Sequence, residues 1–196
     1  MKDYYNSIKN YIELEKTVLD NLDINEINRV INVLENAFEN ENTIYIFGNG
    51  GSSATASHYQ NDFNKGVSEH TEKKFRFCCL NDNIPTIMAV ANDIGFDEIF
   101  RFQLRGKLDD GDIVIGISGS GNSDNVINAI KYAKEQGNTI IGITGFDGGK
   151  LKELSDYVLH APVNSMQVTE DIHMFFDHMI MSIFYKSLCG IDHLKG

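Results

Sequence analysis

Two short segments carry the residue types that hold anions. One is Phe47-Gly48-Asn49-Gly50-Gly51-Ser52-Ser53, the other Ile117-Ser118-Gly119-Ser120-Gly121-Asn122-Ser123. Glycine lets backbone N–H groups approach a ligand closely, and serine hydroxyls add further donors. Apart from His58, no charged residue type occurs from Thr43 to Asn61, and none from Ile113 to Ser123. A phosphate can therefore sit against either segment without meeting a carboxylate from it. Neither ends in the Gly-Lys-Ser/Thr of a Walker loop. Where a dinucleotide fingerprint needs its third glycine, the residues are Ser53 and Asp124. The Gly-x-Ser-x-Gly spacing of a nucleophile elbow is also missing. A second chemistry is suggested by His58 and Asp62, four residues apart. On a helix both face one way, and imidazole plus carboxylate is half of a site for zinc or a similar divalent ion.

These residues need elements to position them. Short β-branched apolar runs predict strands at Thr43–Phe47, Phe75–Leu80, Ile113–Ile117, Thr139–Thr144 and Tyr157–His160. Between them lie predicted helices near Ser53–Asn64, Thr86–Ala91 with Glu98–Leu104, Ser123–Gln136 and Lys150–Leu154, and a long last one from about Thr169 to Leu188. Strands alternating with helices imply a single α/β domain, its parallel sheet covered on both faces. Both glycine/serine segments then leave the carboxyl ends of strands and open helices, where ligands bind in such sheets. Residues 1–42 read as a helical hairpin ahead of the sheet domain at 43–196. Tyr4, Tyr5, Ile8, Tyr11 and Ile12 recur at helical spacing, and Asp23 with Glu26 resembles a capping box. The hairpin suits either packing on its own core or assembly with a second subunit.

Composition removes several function classes. The 196 residues carry 17 Lys+Arg against 28 Asp+Glu, a net charge of −11, with no basic run, which disfavours nucleic acid. Cys78, Cys79 and Cys189 have neither metal nor disulfide-framework spacing and read as free thiols in a reducing cytosol. Met1 to Leu22 has no apolar core of a signal peptide. Met174 to Leu188 is too short to span a bilayer and is broken by Asp177, His178 and Lys186. A cytoplasmic protein without a membrane partner is expected. An acidic protein cannot draw in an anionic ligand at long range. Affinity should rest on the hydroxyls of Ser52, Ser118, Ser120 and Ser123 and on helix N-terminal amides.

The run Ile115-Gly116-Ile117-Ser118-Gly119-Ser120-Gly121-Asn122-Ser123 resembles the phosphosugar-binding signature of the sugar isomerase (SIS) domain family. Gly48-Asn49-Gly50-Gly51-Ser52, followed six residues later by His58, is similar to its sedoheptulose-7-phosphate (phosphoheptose) isomerase branch. So are Ala91-Asn92-Asp93-Ile94-Gly95-Phe96-Asp97, Thr144-Gly145-Phe146-Asp147-Gly148-Gly149-Lys150, and Glu170-Asp171-Ile172-His173 with His178. The resemblance implies a five-stranded parallel sheet and aldose–ketose isomerisation of a seven-carbon sugar phosphate. It also implies a homotetramer, built as a dimer of dimers, with active sites between subunits. Ser118, Ser120 and Ser123, helped by Ser52, would hold the phosphate. Asn49, Asn92 and Asp93 would line the sugar site. The family usually has threonine where this chain has Gly119.

Metal-binding members of that family use His, Glu, Gln and His, which fall here on His58, Asp62, Glu170 and His178. Two of the four types differ, so two carboxylates stand where the family has one, and zinc is the expected ion. For an enediol mechanism, Asp62 or Glu170 would move the carbon proton while His178 shuttles the oxygen proton. Glu170 and His178 are eight residues apart, about 12 Å of helical rise. They share one ion only if the helix begins irregularly or one serves a neighbouring subunit. His173 and Asp177 read as outer or interface groups. Two other readings stay open, an isomerase for a different sugar phosphate and a non-catalytic SIS module that binds a sugar phosphate or protein partner.

Overall fold

Ile44, Tyr45, Ile46 and Phe47 are buried on both sides of their strand, and so is the Ile113–Ser118 run. Such doubly apolar strands must lie inside a sheet with helices on each face. The structure, a computed structural model, describes residues 2–192 and shows that arrangement. The strands are β1 (Ile44–Gly48), β2 (Phe77–Cys79), β3 (Ile113–Ser118), β4 (Thr139–Thr144) and β5 (Tyr157–His160). All pair in parallel in the order β2-β1-β3-β4-β5. Gly48 is level with Ile117 in the register, so β1 and β3 end side by side. The chain moves one way from β1 to β2 and the other way to β3. The crevice between their ends is the topological switch point of the sheet.

The helices are α1 (Tyr5–Asp20), α2 (Ile24–Glu39), α3 (Gly51–Asn61), α4 (Ile84–Asp93), α5 (Arg101–Leu104), α6 (Asp124–Glu135), α7 (Gly149–Leu154) and α8 (Met166–Cys189). Side chains alternate across the sheet. Ile44, Ile46 and Ile115 share one core with Leu34 of α2, Tyr59 of α3 and Phe176 of α8, while Phe47 and Val114 share another with Phe100 and Ile130 opposite. After α3 the chain widens into a π turn at Asp62–Gly66 and then a 3-10 turn at Val67–His70.

The expected strands are all present. The second is trimmed, because the Phe75 amide turns away to the Ser68 hydroxyl. Asp23 caps α2 by accepting from the Glu26 amide. The two N-terminal helices behave differently. α2 buries Val30, Leu34 and Phe38 in the core, whereas α1 lies along α8 and leaves Tyr4, Tyr5, Ile8 and Ile12 exposed. No helix among the described residues is long and apolar enough to cross a membrane. The three cysteines are free thiols.

Candidate active site at the switch point

The loop after β1 is held at its root by Asn81. Its side-chain amide accepts from the Gly48 N–H at 3.1 Å and donates to the Gly48 carbonyl at 2.9 Å, prolonging the ladder where β2 has already ended. The loop after β3 is tied back by Ser118 and Ser123, whose hydroxyls lie 3.1 Å apart. Asn49 and Asn125 then lock the loops together by exchanging two amide hydrogen bonds of 2.8 and 2.9 Å.

Between them lies a cleft of about 260 Å³, lined by Asn49, Ser52, Ser118, Ser120, Ser123, Met166 and Glu170, with the N-termini of α3 and α6 opening into it. Its floor thus offers hydroxyls and unpaired helix amides, which suit a phosphate. Five of the seven expected substrate-binding residues meet here. Asn92 and Asp93 do not. They end α4, exposed, with the Asn92 amide donating to the Asp93 carboxylate at 2.7 Å. The cleft also differs from its loops in charge, because α8 brings in Glu170. A Cβ on Gly51 would fall 2.5 Å from both Glu170 carboxylate oxygens, so only glycine lets that carboxylate lie against the start of α3. A Cβ on Gly119 would stand 2.7 Å from the Met166 sulfur, which fills the space beside the loop.

A second group forms farther along the same two helices. His58 Nε2 lies 3.1 Å from His178 Nε2, 3.4 Å from Asp62 Oδ2 and 3.9 Å from Asp177 Oδ2, and His178 Nε2 is 4.0 Å from Asp62 Oδ2. The imidazoles are partly exposed and the carboxylates buried. Four ligands at about 2.0–2.2 Å around tetrahedral zinc stand roughly 3.3–3.6 Å from one another, so donor atoms that lie within 4.8 Å of one another need only draw together to hold such an ion. Glu170 stands outside this group. α8 runs unbroken from Met166 to Cys189, so the eight residues to His178 carry Glu170 about 12 Å away to the cleft.

The sequence match agrees with this architecture. Residues 3–145 fit the family profile described as "SIS domain". The chain belongs to the SIS-domain family. Within it, the phosphoheptose isomerase of Aliarcobacter butzleri (strain RM4018) is 33% identical over 183 residues, covering 92% of this chain and 96% of the relative. That of Sulfurimonas denitrificans (strain ATCC 33889 / DSM 1251) is 33% identical over 192 residues, covering 97% and 98%. The structure of phosphoheptose isomerase GmhA from Neisseria gonorrhoeae superimposes with a TM-score of 0.82 at 28% identity, covering 91% of this chain and 96% of that one.

In this SIS domain several positions matter that the sequence did not mark. Asn125 carries no signal beyond following the serine loop by two residues. Asp82 accepts from Ser57 Oγ at 2.7 Å and from Gln60 Nε2 at 2.6 Å, fixing the rotation of α3 on either side of His58. Cys79 lies against Ser57, and burial pushes its thiol up to about 11, so it is no nucleophile. Asp177 is wholly buried, neither carboxylate oxygen has a hydrogen-bond partner, and burial with the nearby Asp62 charge pushes its pKa up to about 8. His173, one turn earlier, is also wholly buried with both ring nitrogens unpartnered. Burial lowers its pKa to about 4 against a weaker upward pull from the Thr144 backbone.

Proposed function

We propose that this chain is a phosphoheptose isomerase, interconverting sedoheptulose 7-phosphate and an aldose phosphate through an enediol. The observation that carries this reading is the placement of two different chemistries on one pair of helices. α3 and α8 contribute to an anion cleft at one end and to an imidazole–carboxylate group at the other. Ser118, Ser120 and Ser123, with Ser52 and the α3 and α6 amides, would bind the phosphate through neutral donors. Asn49, locked by Asn125, would orient the sugar. Asn92 and Asp93, exposed in the single chain, would act from a neighbouring subunit in a cytoplasmic homotetramer arranged as a dimer of dimers.

Isomerisation moves one proton between adjacent carbons and one between their oxygens. Asp62 or Glu170 takes the carbon proton and returns it to the neighbouring carbon. His178, its ring half in solvent, would carry the proton from hydroxyl to carbonyl oxygen on the ring nitrogen that a bound ion leaves free. Glu170 has the advantage of already lining the cleft. Asp62 lies nearer His178. A divalent ion, zinc by the nature of its donors, would be held by His58, Asp62 and His178 and would supply polarisation of the carbonyl.

Asp62→Asn and His178→Ala, assayed on sedoheptulose 7-phosphate with and without zinc, should each abolish turnover with an unchanged circular dichroism spectrum. Near-wild-type activity in either variant overturns the assignment. A second reading keeps the chemistry and changes the sugar. Met166 beside Gly119 reshapes the cleft where the family has a threonine hydroxyl, so a panel of ketose phosphates belongs in the same assay.

A further inference from the structure

Among the described residues, the side chains of His, Asp, Glu and Cys whose donor atoms converge within 4.8 Å of one another are His58, Asp62, Asp177 and His178. Asp177 has no place in the ligand pattern that the family resemblance implies. It is nonetheless the best enclosed member of the group, with 0% of its surface exposed.

Its surroundings pose an electrostatic problem. Neither oxygen accepts a hydrogen bond, the neighbouring carboxylate is the like charge of Asp62, and the nearest base is His58 Nε2 at 3.9 Å. Burying a carboxyl group without a partner is costly whether it stays charged or takes up a proton, because the resulting O–H then has no acceptor, and a counter-charge or a metal relieves both. The imidazoles pose the complementary problem. His58 Nε2 and His178 Nε2 face each other at 3.1 Å, so their two lone pairs compete for one space unless a shared proton or a cation lies between them. One divalent cation resolves both, balancing two carboxylates and accepting both lone pairs.

We propose that Asp177, in place of Glu170, is the fourth protein donor to a divalent cation held by His58, Asp62 and His178. Asp177 reaches the ion from the core side. His58 and His178, with 41% and 56% of their side chains exposed, hold it from the solvent side, where a substrate oxygen would enter as a fifth donor. Glu170 is thereby released to the cleft, where it already lies against Gly51. The site is two nitrogens and two oxygens, a donor set that suits zinc over magnesium or calcium. The inference rests on the reading above for the presence of an ion, and is independent of which sugar is turned over.

The test is direct zinc binding by the full-length, metal-free protein without sugar, followed by calorimetry or competition with a chromogenic chelator. Wild type should bind one Zn²⁺ per chain. Asp177→Ala and Asp177→Asn should weaken binding by more than about 100-fold, beyond the 10–100-fold expected of a residue that merely orients a ligand. Glu170→Gln should stay within about threefold. Loss of binding in Glu170→Gln, wild-type affinity in both Asp177 variants, or no binding by wild type overturns the proposal. Should the Asp177 variants not fold, anomalous diffraction from zinc-loaded wild type decides between Asp177 and Glu170 as the fourth ligand. Turnover is read separately. An active enzyme whose wild type binds no zinc leaves the isomerase reading intact and sinks this one. Asp177-dependent zinc binding in a protein without isomerase activity does the reverse.

Discussion

His173 gives the sharpest quantitative test of how the site is built. It lies wholly inside, one turn from Asp177, and its pKa falls from 6.5 to about 4 because burial disfavours the imidazolium. The unfolded chain takes up a proton below about pH 6.5 that the folded chain refuses until about pH 4. Stability from this group is therefore complete above pH 6.5 and is lost as the pH falls towards 4. A shift of this size corresponds to about 3 kcal/mol in total, of which roughly 2.5 falls between pH 7 and pH 4.5. His173→Phe removes the titration and keeps a ring of similar shape, and losing two unpartnered nitrogens costs little. The assay is urea denaturation of metal-free wild type and His173→Phe at pH 7, 5.5 and 4.5, at equal protein concentration. Other titrating groups, Asp177 and His160 among them, are common to both proteins and cancel to first order in the difference. The variant should gain about 2.5 kcal/mol relative to wild type on acidification. Parallel stability curves would show that His173 is solvated or partnered in the folded state and would refute the reasoning.

Four further outcomes follow from single contacts. Gly119→Thr pushes its Cβ towards the Met166 sulfur, 2.7 Å away. Because the methionine end is flexible, the melting temperature should fall by an amount equivalent to only about 1 kcal/mol, and Met166→Ala should restore it. Ser123→Ala removes one hydroxyl from the cleft, and the KM for the sugar phosphate should rise about tenfold with kcat within about twofold, by steady-state kinetics. Gly51→Ala drives a methyl into the Glu170 carboxylate, 2.5 Å away, and should cut kcat while zinc affinity stays unchanged. Asp23→Ala deletes the cap on α2 and should cost about 1 kcal/mol in chemical denaturation.

Much of the fold could be read from one physical pattern. A run such as Ile113 to Ile117 is apolar at every position, so it fits only a strand covered on both faces, and parallel order follows from the helices between such runs. One glycine/serine loop would be ordinary turn punctuation, but two, each leaving a buried strand to open a helix, made the anion cleft legible. The α1–α2 pair was harder. Both helices are amphipathic, and only the tertiary structure shows that α2 spends its apolar face on β5 and the core while α1 keeps much of its own exposed. Asn92 and Asp93 were assigned to the sugar site by resemblance, and a single chain leaves them outside the cleft.

The helix spacing held more than the motif did. Glu170 and His178, eight apart, could converge on one ion only if their helix began irregularly, and α8 begins four residues before Glu170 with regular turns through both. Their separation was thus implicit in the rise per residue. What the sequence could not supply was the neighbour that Asp177 becomes to His58 and Asp62. Asp177 meets Asp62 and His58 because aromatic packing around Phe63, with Phe184 from α8 edge-on to it, fixes the end of α3 against α8. That is a contact between segments more than a hundred residues apart with no local signature. A carboxylate in the middle of an apolar helix was the available clue. Set between Phe176 and His178, Asp177 breaks the most hydrophobic stretch of the chain and buries a carboxyl group without a hydrogen-bond partner at the α3–α8 seam, a burial that apolar packing alone does not explain.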